Sequence, residues 1–136
     1  MKNNPRIHIP IIGNGDVSAP ERARECFDRY GVDAIMVGRA TFGAPWLFAE
    51  MKGLPAPQTM AEKVAVLKEH VLASIAWCGN DERKGIIHSR RHFAASPVFK
   101  GLTDFKQTRI ALLRADTLDE VFAIMDNIVK QWGNQA

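Results

Sequence analysis

The chain changes its hydrophobic period near its middle. In the first third, apolar residues come in short unbroken runs, residues 7–12 (interrupted by Pro10) and Ala34-Ile35-Met36-Val37, which read as buried strands. A proline is tolerated at the entry to a strand, so the pattern predicts strands over 8–13 and 34–37. Between them Ser18 is a candidate N-cap, Pro20 suits the first turn, Glu21 complements the dipole and Gly31 ends the element, which predicts a helix over 20–30. A loop follows Arg39 and leads into a short helix with Pro45 near its start. Beyond the linker-like Gly53-Leu54-Pro55-Ala56-Pro57 the period becomes helical and stays so. Met60, Val64, Leu67, Val71, Ile75 and Cys78 mark an amphipathic helix over 59–78, stopped by Gly79-Asn80. Asp81 caps a helix over 82–95 that Ser96-Pro97 ends, and further helices are expected over 104–115 and 118–132, the last stopped by Gly133. The expected fold is an α/β piece over residues 1–53 and an all-α helical bundle over 54–136, mostly α overall.

Strand, helix, strand in this order calls for a parallel pair with a right-handed crossover, so both strands end at the same edge. Two glycine signatures stand at those ends, Gly13-Asn14-Gly15-Asp16 and Gly38-Arg39. Backbone N–H groups of neighbouring strand tips can converge on one phosphate, with Arg39 adding a charge-assisted bond, as in the phosphate sites of barrel enzymes. Asp16 repels a phosphate, so it either accepts from a ribityl-type hydroxyl or holds the loop. A complete (β/α)8 barrel needs about 250 residues, and two βα units are a quarter of one.

Composition changes this picture in one respect. The overall charge of the 136 residues is a modest +3, but residues 83–114 carry eight basic side chains against one acid, Asp104. Such a concentration fits a polyanion surface, because phosphate neutralisation dominates nucleic-acid affinity, and it also fits a solvated helix face. Cys26 and Cys78 lack any metal or redox spacing and read as reduced structural thiols, so neither a metal nor a catalytic residue is expected. No run is long enough to span a membrane and no signal-peptide pattern opens the chain, from which a cytoplasmic location is expected.

Residues 9–16, Met36-Val37-Gly38-Arg39-Ala40, the Pro45-Trp46 pair and the helical tail together resemble the C-terminal part of the tRNA-dihydrouridine synthases. The resemblance covers essentially the whole chain. It implies that the two strands are the seventh and eighth of an FMN-binding TIM barrel, with Asn14, Gly15, Asp16, Gly38 and Arg39 at the FMN phosphate and ribityl site. The tail's Arg90-Arg91-His92, Lys100-Gly101 and Arg109 are similar to the family's series in its tRNA-gripping helical domain, which makes Arg90, Arg91, Lys100 and Arg109 candidate RNA contacts. It further implies that NADPH reduces FMN, that reduced flavin gives hydride to a uridine of tRNA, and that a cysteine protonates the other carbon.

That cysteine belongs to an Asn-x-x-Cys-Pro-type motif, which this chain lacks along with the family's FMN-contacting lysine, so the chain alone is expected to be inactive and to bind FMN weakly or not at all. Unpaired barrel strands lead to an expectation of self-association. Phe99 stands near the place of a family aromatic that precedes Lys-Gly. Consecutive Arg90, Arg91 and His92 fan over some 200° of a helix and cannot face one ligand. Arg109 can instead pair with Asp104 or Asp116, His92 reads as a buried or capping histidine, and Trp46, Trp77 and Trp132 read as core or interface residues. Two other readings stand beside this one. Another FMN barrel oxidoreductase would share the glycine turns, and a non-enzymatic RNA-binding module would share the tail.

Overall fold

The computed structural model describes residues 4–134, and they separate into two compact units, Met1–Ala56 and Pro57–Ala136. Helices dominate, and the one sheet has two parallel strands.

In the first unit, β1 (Ile12–Asn14) pairs with β2 (Ala34–Met36) in the register Ile12 with Ala34, Gly13 with Ile35 and Asn14 with Met36. The first strand is shorter than its apolar run. Pro10 has no donor, and at Ile11 the pairing is shared between backbone and side chain, Asp33 N donating to Ile11 O at 2.9 Å and Ile11 N to Asp33 Oδ2 at 2.8 Å. Nor are the strands buried as their apolar runs imply. Ile12 is 64% and Met36 46% exposed, because α1 (Pro20–Tyr30) covers one face of a two-stranded sheet and leaves the other open within the unit.

Helix α1 spans the residues its pattern predicts, and Gly31 closes it in the left-handed region at φ 58°, its N–H donating to Phe27 O. The N-cap is Ala19 rather than Ser18. A residue before proline is forced into extended backbone, here φ −148° and ψ 156°, so the helix boundary falls at the residue touching Pro20. After a 3-10 turn at Arg39–Thr41, the short α2 (Leu47–Met51) packs with α1, and Val17, Ala44, Trp46 and Leu47 are buried.

The second unit is helical: α3 (Met60–Trp77), α4 (Glu82–Ala95), α5 (Lys106–Arg114) and α6 (Leu118–Trp132). Thr59 with Glu62 and Thr117 with Glu120 form reciprocal capping boxes at the starts of α3 and α6, and Asp81 caps α4 by accepting from Lys84 N at 2.9 Å. Helix α5 is shorter than predicted because Asp104 sits at φ 55°, outside helical backbone. Gly133 stops α6 in right-handed backbone, φ −57°, not in a left-handed cap. The core is one cluster built from Val64, Leu67 and Val71 of α3, Ile86 and Phe93 of α4, Leu112 of α5, and Val121, Met125 and Ile128 of α6. Phe99 and Phe105 stack at 5.5 Å, and Trp132 meets Phe105 edge-on while its Nε1 donates to Thr103 O. Helices α3 and α4 approach most closely at Gly85, where a Cβ would lie 2.5 Å from Ile75 Cα. Among the described residues no helix is long and apolar enough to cross a membrane.

Candidate functional site

Because the strands are parallel, β1 and β2 deliver their C-terminal ends to the same edge, and the loops that leave them carry the two glycine signatures. An open hollow of about 750 Å³ lies there, lined by Asn14, Gly15, Asp16, Val17, Ser18, Met36, Gly38, Arg39 and Ala40. All five residues expected to hold a cofactor are among them. Arg39 Nη2 donates to Asp16 Oδ1 at 2.5 Å, so of the two roles open to Asp16 the structure displays the loop-holding one. Both side chains are strongly exposed. A guanidinium has five N–H donors, so a bound anion can share Arg39 with Asp16. A Cβ added to Gly15 would meet nothing within 4 Å, which leaves its backbone open to close approach. Thr41 fastens the second loop, its N and Oγ1 both donating to Gly38 O. An open cradle of backbone with one cation at its rim fits a phosphate group.

A smaller hollow of about 310 Å³ lies between the strands and α1, lined in part by Gly13, Arg22, Cys26 and Tyr30. Cys26 and Cys78 are both free thiols at intermediate exposure. Among the described residues no group of three or more His, Cys, Asp or Glu side chains is placed to hold a metal.

The four candidate RNA contacts fall into two pairs. Arg90 is half-buried and turned inward, where its Nη2 donates to Ala115 O at 3.1 Å and to Asp116 Oδ1 at 2.8 Å, tying α4 to the start of α6. Arg109 donates to Ala94 O at 2.8 Å and so fastens α5 to the end of α4; neither Asp104 nor Asp116 is its partner. These two side chains are bracing the helices. Arg91 and Lys100, by contrast, are exposed, Lys100 directly after the buried Phe99. Phe99 is occupied in the core by Phe105 and does not offer a face to a base.

Residues outside the candidate set gather around Arg91. A second 310 Å³ hollow, between α3 and α4, is lined by His70, Ala73, Ser74, Trp77, Cys78, His88, Arg91 and His92. The rings of His70 and His92 lie 4.2 Å apart. Burial, then His70, then the Arg91 charge hold His92 down at about 4, and burial with Arg91 lowers His70 as well. Trp46 and Trp132 are 7% exposed, as core residues, but Trp77 is 90% exposed. The signal that could have found this group is positional, since 70, 74 and 77 on one helix and 88, 91 and 92 on the next each share a face.

Comparison with known proteins bears on the same residues. The family model for dihydrouridine synthase matches residues 2–128, a range that holds all three hollows and all nine candidate residues. The tRNA-dihydrouridine synthase B of Shewanella oneidensis is 32% identical over 126 residues, 88% of this chain and 38% of that protein. A probable tRNA-dihydrouridine synthase of Mycobacterium leprae is likewise 32% identical over 126 residues, covering 88% of this chain and 32% of its own. The tRNA-dihydrouridine synthase B of Pectobacterium carotovorum is 42% identical over 71 residues. The chain thus spans about a third of the length of the curated relatives it matches. With a family match running from ahead of β1 through most of α6, the chain belongs to the dihydrouridine synthase family.

Proposed function

We propose that this chain supplies two parts of an FMN-dependent tRNA-dihydrouridine synthase: the phosphate end of the flavin site and a helical grip on tRNA. Residues 1–53 are the last two βα units of a TIM barrel, and residues 54–136 are a tRNA-binding helical bundle. The observation that carries the reading is the single hollow at the parallel strand ends, which gathers Asn14, Gly15, Asp16, Gly38 and Arg39. The open backbone at Gly15 lets a phosphate approach, and Arg39 meets it with the N–H groups that Asp16 does not use. Asn14, at the last ladder position of β1, faces a ribityl chain from the strand side. FMN held there would, once reduced by NADPH, supply hydride to one carbon of the uridine double bond, the other carbon taking a proton from an acid outside this chain.

The helical unit does separate work. Taking a base out of a folded RNA costs a few kcal/mol, so an enzyme that reduces uridine needs a surface that fixes the RNA body while the base is withdrawn. Arg91 and Lys100 are the exposed cations we assign to that surface, with Arg90 and Arg109 as its internal braces. Neither Cys26, before Phe27, nor Cys78, before Gly79, stands in a Cys-Pro motif, and the chain by itself has no dihydrouridine synthase activity. A tRNA substrate implies a cytoplasmic location, and the open sheet face favours self-association of the isolated chain.

The test follows backbone amides of isotope-labelled chain by NMR during titration with millimolar FMN and, in parallel, riboflavin. The expected shifts concentrate on Gly15, Asp16, Gly38 and Arg39, need the phosphate, and vanish in Arg39→Ala. Equal responses to FMN and riboflavin, or shifts located elsewhere, would overturn the assignment.

A further inference from the structure

Trp77 is the last residue of α3 and one of three tryptophans, yet it is the one that packs into nothing, 90% exposed against 7% for Trp46 and Trp132. A large flat apolar ring held in water at a helix end is costly unless something covers it. The surroundings define what that is. The hollow beside Trp77 is walled by His70, Ala73 and Ser74 of α3 on one side and by His88, Arg91 and His92 of α4 on the other, and no carboxylate lines it. Its walls are stiff: α3 and α4 meet at Gly85 with Ile75 against backbone, so the two helices cannot slide without a clash. From His70 to Trp77 is seven residues, about 10 Å along α3, which is room for one or two nucleotides. Lys84, His88 and Arg91 recur four and three residues apart along α4, all exposed, and continue the basic side of the hollow.

An aromatic platform with a guanidinium beside it and no acid in its lining is complementary to a flat ring that bears an anionic group. We propose that this hollow is a subsite for an unpaired RNA nucleotide, in which Trp77 stacks the base and Arg91, with His88 and Lys84 beside it, meets the phosphates. The inference rests on the RNA-binding reading of the helical unit and adds to it a stacking residue that the basic motifs do not contain. His92, held neutral near pH 7 by burial and by its charged neighbours, forms wall and not charge, which leaves Arg91 as the cation of the hollow. Stacking explains why a sequence-tolerant contact is built from indole: every base has a π face, and each stacked base contributes about 1–3 kcal/mol.

The exposure that motivates the proposal also makes it measurable, because Trp77 is the indole that solvent and solutes reach. The full chain is titrated with a single-stranded oligouridylate, with duplex RNA as the comparison, following tryptophan emission and, separately, bound RNA by filter retention. The expected result is quenching by the single strand but not by the duplex, loss of that quenching in Trp77→Phe, and affinity for the single strand weakened roughly five- to hundredfold in Trp77→Ala. Circular dichroism should show both variants folded, as expected for an exposed side chain. Wild-type and Trp77→Ala chains that bind the oligouridylate equally would overturn the subsite and leave the RNA-binding reading standing. Failure of the wild-type chain to bind either RNA would overturn both.

Discussion

Arg39 reaches Asp16 across 23 positions of sequence, Nη2 to Oδ1 at 2.5 Å, and so joins the loop after β1 to the loop after β2. An ion pair between two exposed side chains thereby bridges the two strand-end loops.

Removing this pair should separate its two roles. Both side chains are exposed, and exposed ion pairs contribute about 0–1 kcal/mol, so Arg39→Ala and Asp16→Ala should shift the urea midpoint little. The same variants should differ on FMN, Arg39→Ala losing the phosphate-dependent response and Asp16→Ala keeping it at the Gly38 loop while broadening it at Gly15. A large loss of stability in either variant would mean that the pair holds the fold.

Arg90 and Arg91 are neighbours in sequence, the first hydrogen-bonded and partly buried and the second exposed. Arg90→Ala deletes bonds to Ala115 O and Asp116 from a half-buried guanidinium and should cost roughly 1–3 kcal/mol in chemical denaturation. Arg91→Ala should leave stability within about 0.5 kcal/mol and lower the salt dependence of RNA binding by about one unit of log–log slope. The reverse pattern would contradict the division.

Gly85 is the close contact between α3 and α4. Its Cβ position lies 2.5 Å from both Cα and Cγ1 of Ile75, and backbone cannot yield as a side-chain end can. Gly85→Ala should therefore destabilise the helical unit by about 1–3 kcal/mol or more, despite alanine's better helix propensity. An unchanged melting temperature would show that the helices separate freely at this point.

The pair His70–His92 makes stability pH-dependent. Both imidazoles are lowered below the ordinary 6.5, His92 to about 4, so the unfolded chain binds more protons than the folded one between those values. Stability therefore rises with pH in this window; it is full above about 6.5 and is lost as pH falls toward 4. His92→Gln should flatten that part of the melting-temperature profile, and a profile as steep as the wild type's would contradict the assignment.

Helix positions were legible because local chemistry sets them. Pro20 and Gly31 bracket α1, and Glu82 to Ala95 lies between an aspartate cap and a Ser-Pro stop. At Thr59 and Thr117 it was the structure that revealed the capping boxes, each a Thr-x-x-Glu before an apolar run. The exposure of Ile12 and Met36 was not, because an apolar run records the surroundings a strand is made for and says nothing of which neighbours the chain provides. That the two glycine turns share one edge of the sheet was legible, since parallel pairing brings strand ends together whatever lies between. Arg90 and Arg109 were indistinguishable from surface cations because their partners, the carbonyls of Ala115 and Ala94, leave no mark in side-chain composition. Trp77 looked like its two buried counterparts until its position at the rim of α3 was known.

The central claim is that the helical unit of this family member grips tRNA, and the direct measurement is the affinity of the full chain for tRNA at two salt concentrations. The account predicts binding that weakens steeply with salt, as counterion release from several phosphates requires. Absence of binding, or binding indifferent to salt, would contradict it.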